Sequence, residues 1–248
     1  MSRLRYLWRA LNYRWRLNRH ELDLLARHVR AGDTVVDVGS HKGGFLYWLR
    51  RYVTASGRVY AFEPQPALAR YLSDVARMQG WNNVTVEAAG VSSSSGMLEL
   101  FVPAPEGQSS PGATLAPAGS PGPHHSITVP VVTLDAYFSG RDRRITCVKC
   151  DCEGHELEVF RGAEGVLRRD RPVLLFECEA RHMRDRTPQD VFDCLRELGY
   201  RGAFFSPAGL LPIHQFRLAV HQPVRDGRFW EAADYCNNFV FIPDDRAP

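Results

Sequence analysis

No stretch of this 248-residue sequence approaches the roughly 20 consecutive apolar residues of a membrane-spanning helix. No apolar run near the N-terminus has the shape of a secretory signal. These absences point to a cytoplasmic setting in which the six cysteines, Cys147, Cys150, Cys152, Cys178, Cys194 and Cys236, are free thiols. Charge of one sign is also missing: 31 Lys and Arg against 28 Asp and Glu leave a formal net charge of +3. Nucleic acid, which calls for a strongly basic face, is therefore not expected as a partner. The chain has no G-x-G-x-x-G, no P-loop and no N/D-P-P-Y/F motif. Cys147-x-x-Cys150-x-Cys152 has no second Cys-x-x-Cys, and on a strand Cys147 faces away from Cys150 and Cys152. No metal ligands are assigned; these thiols read as small buried apolar groups.

What is present is ordinary globular composition, 44% hydrophobic and 24% charged, enough for one large α/β domain. Acids are missing before Glu21, while Arg3, Arg5, Arg9, Arg14, Arg16 and Arg19 crowd the first 20 residues. Leu4, Leu7, Trp8, Leu11 and Trp15 recur at helical spacing, so residues 1–30 read as a basic, helical N-terminal arm. Such a helix suits packing on the domain or on a partner subunit, a homodimer included. It also suits peripheral contact with an anionic surface.

From residue 31 to 248 the pattern is α/β. Strands are expected at Thr34–Val38, Arg58–Phe62 and Val84–Ala89, with helices from Phe45 and over Pro66–Gln79. Gly96–Val102 and Ile127–Leu134 read as an extra hairpin, joined by a Pro/Gly/Ser-rich insertion. The whole of 103–130 is expected to hold a flexible loop that covers the site. The rhythm resumes with a strand at Cys147–Cys150, a helix over Glu153–Arg168, a strand at Val173–Phe176 and a helix over Pro188–Leu198. Strands at Gly202–Phe205 and Asn238–Ile242 complete it. The fold class expected is Rossmann-like α/β: a mostly parallel seven-stranded sheet, helices on both faces, and the extra β-hairpin.

Three segments carry chemistry, each at the carboxyl end of an expected strand, where open parallel sheets bind ligands. In Val35-Val36-Asp37-Val38-Gly39-Ser40-His41-Lys42-Gly43-Gly44 the glycines allow close approach of a ligand to the backbone. Asp37 beside them suits the ammonium of a bound amino acid better than a pyrophosphate. In Ala61-Phe62-Glu63-Pro64 an acid ends the second strand and can accept both hydroxyls of a ribose, whether of an adenosyl donor or of NAD. In Val148-Lys149-Cys150-Asp151-Cys152-Glu153-Gly154-His155-Glu156, two acids and an imidazole end the fourth strand. Glu177 and Glu179 follow on the next one. Carboxylates gathered there could orient a hydroxyl, take its proton or hold a divalent metal. His155, titrating near neutrality, is a further candidate base.

Taken in order, these pieces resemble the FkbM family of methyltransferases over residues 33–180. The likeness runs through the VDVGSHKGG turn, the AFEP strand end, Asn83-Val84 with Ala89 after it, the VKCDCEGHE segment, Arg161-Gly162-Ala163 and the Pro172–Glu177 strand. The resemblance implies a Rossmann-like fold, S-adenosyl-L-methionine as cofactor and, as acceptor, a hydroxyl of a small molecule such as a sugar or natural product. It implies that Asp37, Gly39 and Gly43 hold the methionine end of the cofactor, with Ser40 and His41 in the same turn. Glu63 with Pro64 would hold the ribose, and Ala89 would line the site. Asp151 and Glu153 would lie near the transferred methyl, with His155 and Glu177 completing the catalytic candidates. His41 departs from the family's usual Asn, and cysteines flank Asp151 where aliphatic residues are more usual. Two other readings compete: a non-catalytic adenosyl-cofactor-binding scaffold using the basic arm, and an NAD-type oxidoreductase, against which the missing G-x-G-x-x-G argues.

Overall fold

The computed structural model describes residues 3–115 and 125–245. Residues 116–124, the middle of the Pro/Gly/Ser-rich insertion, lie outside the described residues, as do the side chains of Arg3, Leu4, Arg16 and Leu17.

The chain opens with α1 (Arg3–Asn12), a π-helical turn (Tyr13–Leu17) and α2 (Arg19–His28). There follow β1 (Thr34–Val38), α3 (Gly44–Val53), β2 (Arg58–Phe62), α4 (Pro66–Met78) and β3 (Val84–Glu87). A second group comprises β4 (Gly90–Val91), β5 (Gly96–Val102), β6 (His125–Val132) and the short α5 (Leu134–Tyr137). Then come β7 (Ile145–Cys150), α6 (Glu156–Arg161), α7 (Glu164–Asp170), β8 (Val173–Glu177), α8 (Pro188–Glu197), β9 (Tyr200–Ser206), β10 (Gly209–Pro212), α9 (Leu218–His221) and β11 (Asn238–Pro243). The main sheet runs β10-β9-β11-β8-β7-β1-β2-β3, and a separate small sheet runs β4-β6-β5. Strands β3, β2, β1, β7 and β8 pair in parallel, whereas β11 is antiparallel to both β8 and β9.

All five residues of β1 are buried, because helices cover both faces of the sheet. Val36, Val38, Val148 and Cys150 join the core under α6, α7 and α8. Val35, Cys147 and Leu175 join the core under α2 and α3. The pleat thus sends Cys147 and Cys150 to opposite faces.

Three expectations need correction. The main sheet has eight strands, not seven: Gly209–Pro212 adds an antiparallel edge to β9. It is a four-residue strand ending in proline, too short and too exposed to show an alternating pattern. The single helix over 153–168 is two helices, broken at Gly162-Ala163. A Cβ on Gly162 would lie 2.0 Å from the Ser92 carbonyl oxygen, so the break seats this segment on the small sheet. In the arm, the docking face is not the expected stripe. Tyr6 and Ala10 are buried, while Trp8, Leu11 and Trp15 are exposed. The Tyr6 hydroxyl donates to the Gly43 carbonyl at 3.0 Å, and Trp48 Nε1 donates to the Ala10 carbonyl at 2.8 Å. A small residue flanked by aromatics lets the arm lie close against α3, with Trp8, Leu11 and Trp15 left outside.

The insertion is partly pinned. Gln65 Nε2 donates to the Ser110 carbonyl and the Ser110 amide donates to Gln65 Oε1, both at 3.0 Å. Residues 103–115 thereby fold over the carboxyl ends of β1 and β2, and Thr114 bridges to Phe101.

Candidate active site

Strand β1 lies between β2 and β7, so the connections leave it in opposite directions and open a crevice at its carboxyl end. A cavity of about 230 Å³ occupies that crevice. Its wall includes Gly39, Ser40, His41, Glu63, Pro64, Ala89, Asp151, Glu153 and Glu177, all of which sequence had singled out. The cavity is therefore assembled from the tips of β1, β2, β7 and β8.

The β1–α3 turn is tight because Gly39 and Gly43 both take φ +76°. The Gly39 and Ser40 amides donate to the Phe62 carbonyl at 3.0 and 3.1 Å, fastening the turn to β2. Gly39 also passes over the β7 end so closely that a Cβ would lie 1.9 Å from the Asp151 carbonyl oxygen. Gly43 caps α3 and stays out of the cavity wall, which Gly44 joins instead.

Glu63 is held from two sides. Its Oε2 accepts from the His41 amide at 2.7 Å and its Oε1 from the Gln65 amide at 2.9 Å. Burial pushes its carboxyl up to about 7 in spite of these donors. The same burial pushes the His41 imidazole down to about 4.

Asp37 is placed differently from the sequence expectation. It is wholly buried and does not reach the cavity wall. On a strand whose neighbours alternate, its side chain points into the layer behind the crevice. There it lies 3.9 Å from Lys149 Nζ, and that ammonium lies 3.1 Å from Asp151 Oδ2. Burial raises the Asp37 carboxyl and Lys149 pulls it part of the way back. Burial alone would lower the Lys149 amine, but Asp151 and Asp37 outweigh it and keep it charged. Lys149 lines the cavity, so it is the cavity-facing charge that Asp37 supports.

The remaining acids do not continue β7, which ends at Cys150. Glu153 and Gly154 take left-handed φ values of +51° and +94°, and the chain turns there. Glu153 still faces the cavity, with its carbonyl accepting from Thr114 Oγ1 at 2.7 Å. His155 does not. The turn carries it to a second cavity of about 300 Å³, where its Nε2 lies 2.9 Å from Ser92 Oγ and burial lowers its imidazole to about 4. A buried imidazole on the far side of the turn is removed from the role of base in the first cavity. Glu177, by contrast, is raised by burial and by the neighbouring acids Asp151, Glu179 and Glu153.

Glu156 supports this turn from below. Its Oε1 accepts from the amides of Cys152 and Gly154, both at 3.1 Å, while its buried Oε2 has no partner. Burial lifts its carboxyl to about 7, opposed by those amides. A carboxyl raised on folding contributes stability below its unfolded value near 4.5 and loses it as pH rises through about 7. Glu156→Gln should therefore match the parent at pH 5 and exceed it at pH 8 by on the order of 3 kcal/mol. His155 and His41, lowered on folding, titrate in the opposite sense, so the parent-minus-variant difference in urea melts is the quantity to read. A difference that does not change between the two pH values refutes the assignment.

Sequence reading missed several wall residues: Tyr13 from the arm, Phe45, Gln65, and Pro111, Ala113 and Leu115 from the insertion. Lys149 was visible in the third motif but was given no role. Tyr13 could have been found only from contact: its ring occupies the space a Gly44 Cβ would fill, 2.4 Å away.

A model of the methyltransferase FkbM domain matches residues 37–201. A search of curated proteins gave no match. Among solved structures, methyltransferase FkbM from Methylobacillus flagellatus superposes with a TM-score of 0.51 at 17% identity, covering 96% of this chain and 54% of that one. The chain thus spans about half the length of that relative. A Streptococcus mutans protein named as a methyltransferase, in complex with SAH, gives 0.51 at 10% identity, covering 90% and 95%. A Clostridium thermocellum protein named as an rRNA-methylase gives 0.51 at 12%, covering 92% and 95%. At such identities the likeness is one of fold.

Proposed function

The chain belongs to the FkbM methyltransferase family, and from that premise we propose that it transfers a methyl group from S-adenosyl-L-methionine to a hydroxyl of a small molecule, such as a sugar or natural product. The observation that carries the reading is the buried Glu63 carboxylate in the wall of the crevice beside β1. It stands at the tip of β2, where a ribose diol is recognised in such sheets. The residues present fit the rest of the donor. Its methionine end is a zwitterion, and the cavity wall offers Lys149 to a carboxylate and Asp151 to an ammonium, 3.1 Å apart. Asp37 acts behind them by holding Lys149. Gly39, Ser40 and His41 give the donor a backbone floor with no intruding Cβ at the first of them. When bound, S-adenosyl-L-methionine supplies a methyl carbon already activated by its sulfonium.

The protein then has to position the acceptor and accept its proton. Asp151, Glu153 and Glu177 line the cavity and are the candidates, with Glu177 favoured by its raised carboxyl. Residues 31–248 form the catalytic domain in this reading, and the arm completes it by lending Tyr13 to the cavity wall.

Calorimetric titration with S-adenosylhomocysteine tests the assignment. Glu63→Ala should weaken binding more than tenfold, about 1.4 kcal/mol or more. Unchanged affinity would contradict the placement of the ribose.

A further inference from the structure

The first and second cavities share Leu115 in their walls and meet beside Glu153 and His182. Glu153 faces the first and His182 the second. Among the described residues, one group of side chains has the composition and spacing of a metal site: Glu153, Glu179 and His182, with one ligand atom from each within 4.8 Å of the others. We infer that these three residues form a divalent-cation site at the junction of the two cavities.

The geometry of the histidine carries the inference. His182 Nε2 lies 2.7 Å from Glu153 Oε2. Yet this buried nitrogen has no hydrogen-bond partner. Nitrogen and oxygen are close without being aimed at each other. Two ligands of one octahedral ion lie about 3 Å apart, given metal–ligand bonds of about 2.1 Å at right angles. Charge points the same way. Four acids, Asp151, Glu153, Glu177 and Glu179, gather here, whereas the cations are two: Lys149 on Asp151 and Arg181 on Glu179. Among the described residues, Glu153 has no Lys or Arg at ion-pair distance; its partner is His182. A divalent ion supplies the countercharge that Glu153 lacks.

The surrounding groups hold the ligands in place. Arg181 binds both oxygens of Glu179, with Nη2 to Oε1 at 3.0 Å and Nε to Oε2. Asn237 Nδ2 donates to Glu177 Oε1 at 2.8 Å and to Glu179 Oε1 at 3.2 Å. A Cβ on Gly154 would lie 2.6 Å from the His182 carbonyl oxygen, so the glycine lets the two loops meet. Partners of this kind orient metal ligands. Two carboxylates and one imidazole suit a manganese-type ion that prefers oxygen. Three protein ligands leave positions for oxygens of the acceptor. That role rests on the methyl-transfer reading; the site itself does not.

Manganese binding to the purified full chain, followed by the loss of the free Mn²⁺ paramagnetic resonance signal, tests the site. The expected result is one Mn²⁺ per chain, with Mg²⁺ competing. Glu153→Gln and His182→Gln should each weaken binding at least tenfold, and His182→Gln should leave S-adenosylhomocysteine affinity within about twofold. The parent protein alone keeps the test decisive if a variant misfolds: no uptake at about 1 mM Mn²⁺ overturns the site. Uptake unaffected by both folded variants overturns it too. Parallel titration with S-adenosylhomocysteine separates the readings, since its failure beside intact Mn²⁺ binding sinks the donor assignment only.

Discussion

Lys149→Met should destabilise the protein by on the order of 3 kcal/mol and weaken S-adenosylhomocysteine binding more than tenfold. Lys149 is 5% exposed and sits among Asp37, Asp151 and the Gly39 carbonyl, with its ammonium 5.1 Å from the centre of the Phe45 ring. Methionine fills similar volume, so the loss is one of charge rather than packing. It leaves Asp37 as a buried carboxyl whose two oxygens have no hydrogen-bond partner. Asp37 then escapes its penalty by taking a proton. A carboxyl raised on folding is stabilising below its unfolded value and loses that contribution as pH rises, so the variant should be closest to the parent near pH 5 and furthest from it near pH 8. Adding Asp37→Asn should recover much of the stability but not the binding, since the cavity still lacks its cation. Urea melts of the parent, Lys149→Met, Asp37→Asn and the double variant give the coupling. A cost below about 1 kcal/mol for Lys149→Met would show that the ammonium is not what holds Asp37.

Gly39→Ala should be more damaging still, costing more than about 4 kcal/mol or preventing folding. The left-handed φ of +76° accounts for about 1–2 kcal/mol of this in any L-residue. The rest comes from the Asp151 carbonyl, 1.9 Å from the added carbon, which is backbone and cannot swing aside. Either the β1–α3 turn or the end of β7 must move, and both form the cavity. Gly140 supplies the control. Its φ is +72°, but nothing lies within 4 Å of the Cβ position, so Gly140→Ala should show the backbone cost alone. Comparable melts for the two variants would remove the close crossing from the account of this site.

The parallel strands and their tips were legible because chemistry and pattern coincide there. Short, largely apolar runs that end just before Gly39, Glu63 and Asp151 announce both strand and site. What was not legible depends on contacts far apart in sequence. That Asp37 points behind the crevice follows from pleat and layer. That His155 leaves it follows from left-handed turns at Glu153 and Gly154, and only the second is a residue that advertises such a turn. The same holds for the arm. Helical periodicity singled out Leu4, Leu7, Trp8, Leu11 and Trp15, but it does not say which residues dock, and it is Tyr6 and Ala10 that are buried while Trp8, Leu11 and Trp15 are exposed. The Arg161-Gly162-Ala163 step was noticed as part of a resemblance, and its cause, the Ser92 carbonyl against Gly162, is a contact across 70 residues.

Strand β11 enters last in sequence but lies between β8 and β9, hydrogen-bonded on both sides. The family match ends at residue 201, well before it, and begins at residue 37, after Tyr6, Tyr13 and the buried leucines of α2. A fragment excised at those limits would keep nearly all of the motifs by which the family is recognised, though it would cut through β1. It would also expose the apolar flank of β8 as a raw edge open to other chains, and it would lack one side of the cavity. The stretch that identifies the family is thus shorter than the stretch that builds the cavity and its sheet.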